Sequence, residues 1–353
     1  MMKKKWIQHL QTGGRLLVLV LLGCCCILFA APYRVLTQNK EEDSSSNTIQ
    51  ANPTAATDGF IQWVEFHVTS SAMQRAYDYD RTSHGSDCEI NWIDLLAGLG
   101  AKYGGDFSRY RASDMDALVK RLRAGETMAQ IQSENSYYDY YREAYEVVLG
   151  EFVGDYEILL PDETGKSVWQ SVYGLKAFSP IAEGYYYNHY DDFGAQRSYG
   201  YSRPHLGHDL MASVGTPVIA VESGIVEELG WNQYGGWRIG IRSFDGKRYY
   251  YYAHLRQNRP YHPDVVKGAT ISAGDVIGYV GRTGYSTVEN TNNMTVNHLH
   301  WGLQLIFDES QKNGNHEIWI DLYEITKFLS SHRSTVYRVD ETKEYYRKYD
   351  FLD

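Results

Sequence analysis

Five histidines and one aspartate form three separated groups in the C-terminal half of this 353-residue chain. They are His205, His208, Asp209, His254, His298 and His300. Side chains an even number of residues apart lie on one face of an extended strand, which predicts that His205 faces with Asp209 and His298 with His300. Imidazole nitrogens and carboxylate oxygens are good zinc ligands, and three protein ligands leave one position for catalysis. The groups therefore predict metal-dependent chemistry, and spacing alone leaves His208 open as a ligand.

The groups lie in a region of short β-rich runs punctuated by glycine. The dipeptide Asp245-Gly246 predicts a hairpin between two of these runs. A helix is predicted only near the end, over residues 319–329. This pattern indicates an antiparallel all-β domain over residues 174–330. Its predicted strands are residues 217–221, 224–226, 237–241, 249–253, 275–280 and 298–307.

Three motifs in this region resemble the lysostaphin-type (LytM-domain) zinc endopeptidases, which hydrolyse peptidoglycan. The motifs H-x-G-x-D, Y-x-H-L and H-L-H occur here as residues 205–209, 252–255 and 298–300, in the family's order. The resemblance extends from Gly174 to about Ile325. It implies a barrel-sandwich domain built from a duplicated hybrid motif, and it places His208 at a position that the family does not use. It also implies Zn²⁺ held by His205, Asp209 and His300, with His254 and His298 as the catalytic histidines.

The resemblance implies a zinc metalloendopeptidase that cuts cross-links or stem peptides of bacterial peptidoglycan. Zinc lowers the pKa of bound water and polarises carbonyls. The chain has no H-E-x-x-H motif, so proton transfer falls to the imidazoles. Two alternatives are a non-cleaving scaffold or activator of wall hydrolysis and a protease of an extracytoplasmic protein.

The chain departs from the family pattern just before H-L-H, where residues 286–297 are inserted. We expect this insertion to line the substrate groove. In latent family members an upstream asparagine occupies the fourth zinc position; Asn188 is available for this role, although a turn residue is the favoured interpretation. Aromatic residues near the motifs could stack on substrate, although packing in the core is favoured. They are Tyr185, Tyr186, Tyr187, Trp231, Tyr234, Trp237 and Trp301.

Residues 60–157 show helical patterns and predict a small all-α domain of unknown role, with a protein partner as one expectation. Ser113 and Asp116 resemble a capping box, Thr127 and Gln130 repeat this signal, and Gly125 is placed to end a helix. A lysozyme-like site was the alternative for this segment, but its carboxylates, Glu89, Asp94 and Glu143, are typical of solvated helix faces. Residues 331–353 are predicted to be a charged C-terminal tail.

The N-terminus predicts export of the rest of the chain. Residues 16–31 form an uncharged apolar run, close to the length of about 17 that spans a bilayer. Basic residues precede the run, so residues 1–34 are predicted as a cytoplasmic tail and single-pass anchor, and the polar residues 35–59 as a flexible linker. A cleaved signal peptide, a lipobox ending at Cys24 and a buried helix are the alternatives.

Charge excludes one class of partner. The formal net charge is −10, and all 44 acidic residues lie after Arg34, which argues against a nucleic-acid binder. Only Cys88 lies outside the apolar run, so no disulfide framework is expected. The sequence therefore predicts a multidomain α plus β protein at the cell membrane, with its catalytic domain outside the cytoplasm.

Overall fold

A computed structural model describes residues 60–133, 135–198, 202–314 and 316–353. The predicted membrane anchor and linker lie outside the described residues. Among the helices of the described ranges, none has both the length and the apolar character required to cross a bilayer. The described chain has a mixed α/β fold in which a small helical region precedes a C-terminal antiparallel β domain.

The helical region begins with helices whose N-termini are capped by side chains. Thr69 accepts a hydrogen bond from the Ala72 backbone N–H, and Asn91 accepts one from Asp94. These caps satisfy donors that have no partner within the helix. The described helices are α1 (Ser70–Ser83), α2 (Trp92–Tyr103), α3 (Ala112–Arg123), α4 (Met128–Ile131), α5 (Tyr138–Leu149) and α6 (Tyr323–Leu329).

The local helix signals had different outcomes. Thr127 and Gln130 form the predicted capping box, and Gly125 follows the end of α3 with a φ of 93°. The predicted capping box at Ser113 is wrong. Helix α3 already begins at Ala112, so Ser113 lies inside the helix and not before it. The Asp116 side chain instead binds Arg75 and Tyr79.

The strands form one large sheet and several smaller ones, and all ladders between named strands are antiparallel. The large sheet has the order β11-β8-β9-β10-β13-β6-β3, with β14 paired to β13. The predicted hairpin at Asp245-Gly246 joins β9 to β10. The main strands are β3 (Tyr187–His189), β6 (His208–Ala212), β8 (Gly224–Asn232), β9 (Gly236–Ser243), β10 (Arg248–Ala253), β11 (Thr270–Ile271), β13 (His298–Leu305) and β14 (Ile318–Trp319).

The remaining strands form smaller sheets. The hairpin of β1 and β2 pairs Val153 with Leu175 at one end and Pro161 with Ser167 at the other, and it was not predicted from the sequence. It becomes a three-stranded sheet when β17 pairs with β1. The remaining strands are β1 (Val153–Pro161), β2 (Ser167–Leu175), β4 (Gln196–Ser198), β5 (Ser202–Pro204), β7 (Pro217–Ile219), β12 (Val276–Tyr279), β15 (Val336–Arg338), β16 (Tyr345–Arg347) and β17 (Phe351–Leu352).

The C-terminal segment is folded and is not the charged tail that was predicted. Tyr279 donates a hydrogen bond to the buried carboxylate of Glu344, and Phe351 is buried against Tyr156 and Phe178. The aromatic residues interleaved with its charges provide the apolar surface for this packing.

The buried side chains of the helical and β regions form one continuous cluster. Phe328 of α6 packs against Tyr77 of α1 and Trp92 of α2, with ring centroids 6.2 and 5.9 Å away. Arg248 of β10 donates to the Val147 carbonyl of α5 at 2.9 Å while its guanidinium pairs with buried Glu222. The division into domains at residues 157 and 174 remains a prediction, but the two regions share a core.

Candidate metal centre

Two adjacent strands and one connection position the predicted metal ligands. Asp209 of β6 lies directly opposite His300 of β13 in the antiparallel ladder. His205 lies in the connection between β5 and β6 and not on one strand with Asp209, so the proposed strand over residues 205–209 was wrong. Gly207 allows the connection to pass close to His300, because a Cβ there would lie 2.5 Å from the His300 ring. The glycine of the first motif therefore makes room for the third ligand.

The three predicted ligands converge on one point. His205 Nε2 lies 3.0 Å from Asp209 Oδ1 and 3.0 Å from His300 Nδ1, and these last two atoms are also 3.0 Å apart. A proton between two of the atoms leaves the third without a donor, whereas one cation can satisfy all three. Two imidazole nitrogens and a carboxylate oxygen match the ligand preference of zinc, so this set fits the ion that the resemblance implies.

The charges within this group support a bound cation. Burial alone raises the pKa of Asp209, but hydrogen bonds with His205 and His300 lower it far below its usual range. Burial lowers the pKa of His300 despite the neighbouring carboxylate. Burial opposes protonation of His205, but the hydrogen bond with Asp209 raises the pKa of His205, so protons are shared within the group and metal binding would release them.

The two predicted catalytic histidines flank the metal ligands. The ring centroids of His254 and His298 are 4.7 Å apart, and His254 lies 6.0 Å from the His300 ring. His254 Nδ1 is 2.8 Å from the Thr283 carbonyl, and His298 Nδ1 is 2.9 Å from the Val296 carbonyl. Because a carbonyl only accepts, Nδ1 carries the proton in each ring and Nε2 of the neutral ring is left as an acceptor.

The backbone of His254 is also unusual. Its φ is 58°, in the left-handed region that non-glycine residues rarely adopt. A hydrogen bond of 2.7 Å from its N–H to the Gly235 carbonyl holds this conformation just after β10 ends. Burial, followed by the nearby His298 and His300, lowers the pKa of His254 well below its usual value. This side chain is therefore a neutral base at neutral pH.

The structure places His208 away from the metal ligands. It is the residue before Asp209 on β6, so its side chain lies on the opposite face of the strand. There its Nε2 lies 2.8 Å from His189 Nδ1, and burial lowers the pKa of His208 to about 3. His208 is absent from the group that could hold a metal ion. It belongs to the packing beneath the site.

Two residues near His205, Asp192 and Arg197, were not predicted as part of the site. His205 Nδ1, the nitrogen remote from the ligand cluster, lies 3.3 Å from the Asp192 backbone carbonyl, and the Asp192 carboxylate lies at the same distance as an ion-pair contact. Arg197 of β4 bonds to Asp192 and, at 3.1 Å, to Asp209 Oδ2. Neither residue lies in a motif, because the fold brings them in from outside the motifs. A carboxylate on the remote nitrogen orients a histidine ligand.

The inserted residues 286–297 are tied to the β domain through Asn290. Its Oδ1 accepts hydrogen bonds from Trp237 Nε1 at 2.9 Å and from the Asn258 N–H at 2.8 Å. Asn188 lies on β3, and its amide donates to Tyr190 Oη at 2.9 Å. That contact gives no support to a latent metal ligand.

The predicted aromatic residues have different environments. Trp301 is fully buried, and Trp231 packs edge-on against Trp237 with centroids 5.6 Å apart. Tyr186 is 82% exposed, whereas Tyr187 is buried. Tyr234 lies under the guanidinium of Arg203. Core packing therefore accounts for Trp301 and Tyr187.

Comparison with known proteins identifies this region. Residues 203–314 match the model of Peptidase family M23. This segment belongs to that family. The L-Ala--D-Glu endopeptidase of Bacillus subtilis (strain 168) is 39% identical to the chain over 124 residues, which are 35% of this chain and 36% of that protein. Lysostaphin of Staphylococcus staphylolyticus is 39% identical over 98 residues, which are 28% of this chain and 18% of that protein.

Among solved structures, the chain is similar to a lytM protein of Ruminococcus gnavus ATCC 29149. The TM-score is 0.49 with 22% sequence identity, over 80% of this chain and 95% of that one. The M23 segment contains His205, Asp209, His254, His298 and His300. The similarity spans about a third of the length of the Bacillus relative and less than a fifth of lysostaphin.

Proposed function

We propose that this protein is a zinc-dependent endopeptidase that hydrolyses peptide bonds in bacterial peptidoglycan. The convergence of His205, Asp209 and His300 within 3.0 Å of one another, beside two histidines whose Nε2 atoms can accept a proton, carries the proposal. The M23 segment and the endopeptidase names of its relatives support it. The duplicated hybrid motif is proposed on the same basis.

His205, Asp209 and His300 would hold the zinc ion. Bound there, zinc supplies a Lewis acid that activates water and polarises the scissile carbonyl. Asp209 stays ionised and His300 neutral through the hydrogen bonds and burial described above. The Asp192 backbone carbonyl, with the carboxylate at ion-pair distance, would orient the His205 ring from its remote nitrogen.

His254 and His298 would move the protons. The Thr283 carbonyl fixes the His254 tautomer, and burial keeps this ring neutral, so its Nε2 can accept a proton from the attacking water. The Val296 carbonyl fixes His298 in the same way. With a second proton on Nε2, His298 can donate a hydrogen bond to the oxyanion or a proton to the leaving amine. Positioned proton transfer of this kind contributes about 10² to 10⁴ in rate.

We further propose that the chain is anchored in the cell membrane with the peptidase outside. The support is the uncharged run of residues 16–31 with basic residues before it. The proposed substrate also lies outside the membrane. A reporter enzyme that is active only after export, fused after residue 59, tests this orientation. Activity of a cytoplasm-only reporter at the same position would contradict it.

The function is tested on the full chain purified in detergent. Wild type should bind about one zinc per chain and release soluble fragments from purified sacculi. His300→Ala removes one of three ligands and should lose both zinc and hydrolysis. The matched control is His67→Ala, because His67 is exposed and distant from the ligands in sequence.

Three outcomes would point elsewhere. Hydrolysis and zinc content unchanged in His300→Ala would exclude the proposed centre. Zinc binding without sacculus hydrolysis would favour the scaffold or activator. Cleavage of glycine-rich proteins but not of sacculi would favour a protease of an extracytoplasmic protein.

A further inference from the structure

Two arginines lie directly opposite each other on the hairpin beside the metal centre, and only one of them has an ionic partner. Arg197 of β4 pairs in register with Arg203 of β5. Arg197 is neutralised by Asp192 and Asp209. In the described part of the chain, Arg203 forms no ion pair with a carboxylate, and its buried Nε has no hydrogen-bond partner.

Aromatic residues hold the guanidinium of Arg203 in place. Its Nη2 donates to Tyr285 Oη at 2.7 Å. Its carbon centre lies 5.3 Å from the ring centroid of Tyr234 and 5.6 Å from that of Tyr285. A planar guanidinium fixed against rings keeps its charge and loses little freedom when it binds a ligand.

This guanidinium belongs to the wall of the catalytic centre. The ring of Tyr285 is stacked on the catalytic His254, with centroids 6.0 Å apart and planes 17° apart. Arg203 lies on β5 and precedes the predicted ligand His205 by two residues in the chain. Arg203 is partly exposed. A group bound to it would therefore lie beside the proton-transferring histidine.

The energetics of folding do not explain this arrangement. Like charges directly opposite in an antiparallel pair are destabilising. A buried charged donor without a partner adds a further penalty. An arginine that no carboxylate of the described chain neutralises, held against aromatic rings beside a site of chemistry, is suited to bind an anionic group of the substrate.

We propose that Arg203 determines substrate specificity by binding a carboxylate of the peptide near the scissile bond. The planar guanidinium of arginine binds a carboxylate through two parallel hydrogen bonds. Such charge-assisted pairs are stronger and more specific than neutral hydrogen bonds. The proposal rests on the proposed function and names its substrate class: stem peptides with a free carboxylate, in preference to uncharged glycine bridges.

The test compares two stem peptides that differ in one group. One contains a glutamate with a free α-carboxylate, and the other has that carboxylate converted to a carboxamide. Dissociation constants and kcat/KM are measured for the zinc-loaded full chain. We expect wild type to favour the carboxylate by about 10- to 100-fold, the range of a charge-assisted hydrogen bond. Arg203→Gln should reduce this ratio to near one, and Arg203→Lys should restore part of it.

Controls separate specificity from folding. Arg338→Gln is a matched variant, because Arg338 is exposed and also lies over a tyrosine ring, 5.9 Å from Tyr345, on the C-terminal hairpin. It should keep the wild-type ratio. Zinc content and the thermal midpoint of Arg203→Gln show whether that variant is folded, and a folded Tyr285→Phe variant should show a reduced ratio because it loses the hydroxyl that orients the arginine.

The outcomes separate this proposal from the proposed function. Equal binding of both peptides by wild type, or an unchanged preference in Arg203→Gln, would overturn the role of Arg203 even if sacculi are hydrolysed. Tighter binding of the carboxylate peptide that depends on Arg203, without cleavage of either peptide, would support the role of Arg203 while contradicting the endopeptidase function.

Discussion

At the scale of single residues, the ring nitrogen of His205 that faces away from the ligand cluster is the informative contact. The Asp192 backbone carbonyl and carboxylate each lie 3.3 Å from that nitrogen, and Arg197 binds the carboxylate. Replacing Asp192 with Asn removes the charge but keeps the size of the side chain. Such partners typically contribute about 10- to 100-fold to metal affinity, and the backbone carbonyl remains in this variant, so we expect the zinc dissociation constant to rise by about 10-fold.

Competition with a chromophoric chelator measures this change. Asp191→Asn is the control, because Asp191 is the exposed neighbour in sequence and is not among the contacts of His205. It should leave zinc affinity unchanged. An Asp192→Asn variant that binds zinc as tightly as wild type would show that the contact does not support the ligand.

The sequence motifs name the residues that the structure brings together, and their roles as ligands and catalytic groups stay predictions, whereas the residues that support them were not predicted. His298 and His300 share a face of β13 by simple alternation, as predicted, and Asp209 meets His300 across the ladder. His205 enters from a connection whose path depends on Gly207. Arg197 and Arg203 come from a hairpin whose register no local pattern specifies, and their partners come from other segments of the chain. Contacts between segments far apart in the chain depend on how the whole fold packs, and the periodicity of a local sequence pattern cannot predict them.

Among the elements near the site, the inserted residues 286–297 make several contacts with the β domain, and Asn290 makes the largest group of them. Asn290 has a φ of 61° and accepts hydrogen bonds from Trp237 and Asn258, while its amide donates to Asn258 Oδ1 at 2.6 Å. Asn290→Ala would leave these donors without partners and place a less suitable residue in the left-handed region. We expect a loss of about 1–3 kcal/mol in the free energy of unfolding.

Urea denaturation measures this loss. Thr287→Ala is the control in the same insertion, because Thr287 is exposed, and it should change stability by less than about 0.5 kcal/mol. Equal stability of Asn290→Ala and wild type would mean that the insertion is not anchored at this point.

The connection after α6 is predicted to make stability depend on pH. His332 donates from Nδ1 to the Ala177 carbonyl at 2.7 Å and stacks on Phe178, and burial lowers its pKa. An unfolded histidine titrates near pH 6.5, so the unfolded chain binds the proton first as the pH falls. The contribution is present above pH 6.5 and is lost as the pH falls toward the lower folded pKa, by at most about 1.4 kcal/mol per pH unit.

Comparison of two pH values isolates this contribution. Between pH 7.5 and 5.5, wild type should lose more free energy of unfolding than His332→Gln, which lacks the titrating group. His67→Gln, at an exposed site, should follow wild type. Identical pH dependence in wild type and His332→Gln would exclude His332 as the source.

In the whole molecule, the sequence patterns predict separate helical and β domains, whereas the structure joins the two regions in one core. Helical and β patterns change near residue 157, because local periodicity reports only which face of each element is apolar. It does not report which apolar face packs against which. In the structure the buried helices α1 and α2 meet α6 of the β domain, and Arg248 spans from β10 to α5. The helical region thus completes the core of the peptidase domain.

This shared core predicts cooperative unfolding of the helical and β regions. Phe328 is 3% exposed and packs on Tyr77 and Trp92, so Phe328→Ala should cost about 3–5 kcal/mol. Because the lost contacts join both regions, far-ultraviolet circular dichroism of the helices and tryptophan fluorescence should shift together to lower urea. Tyr337→Ala, at a 52% exposed site, should change neither midpoint appreciably. Two separate transitions, with only one shifted by Phe328→Ala, would instead mean that the helical region folds independently and can be removed without disturbing the metal centre.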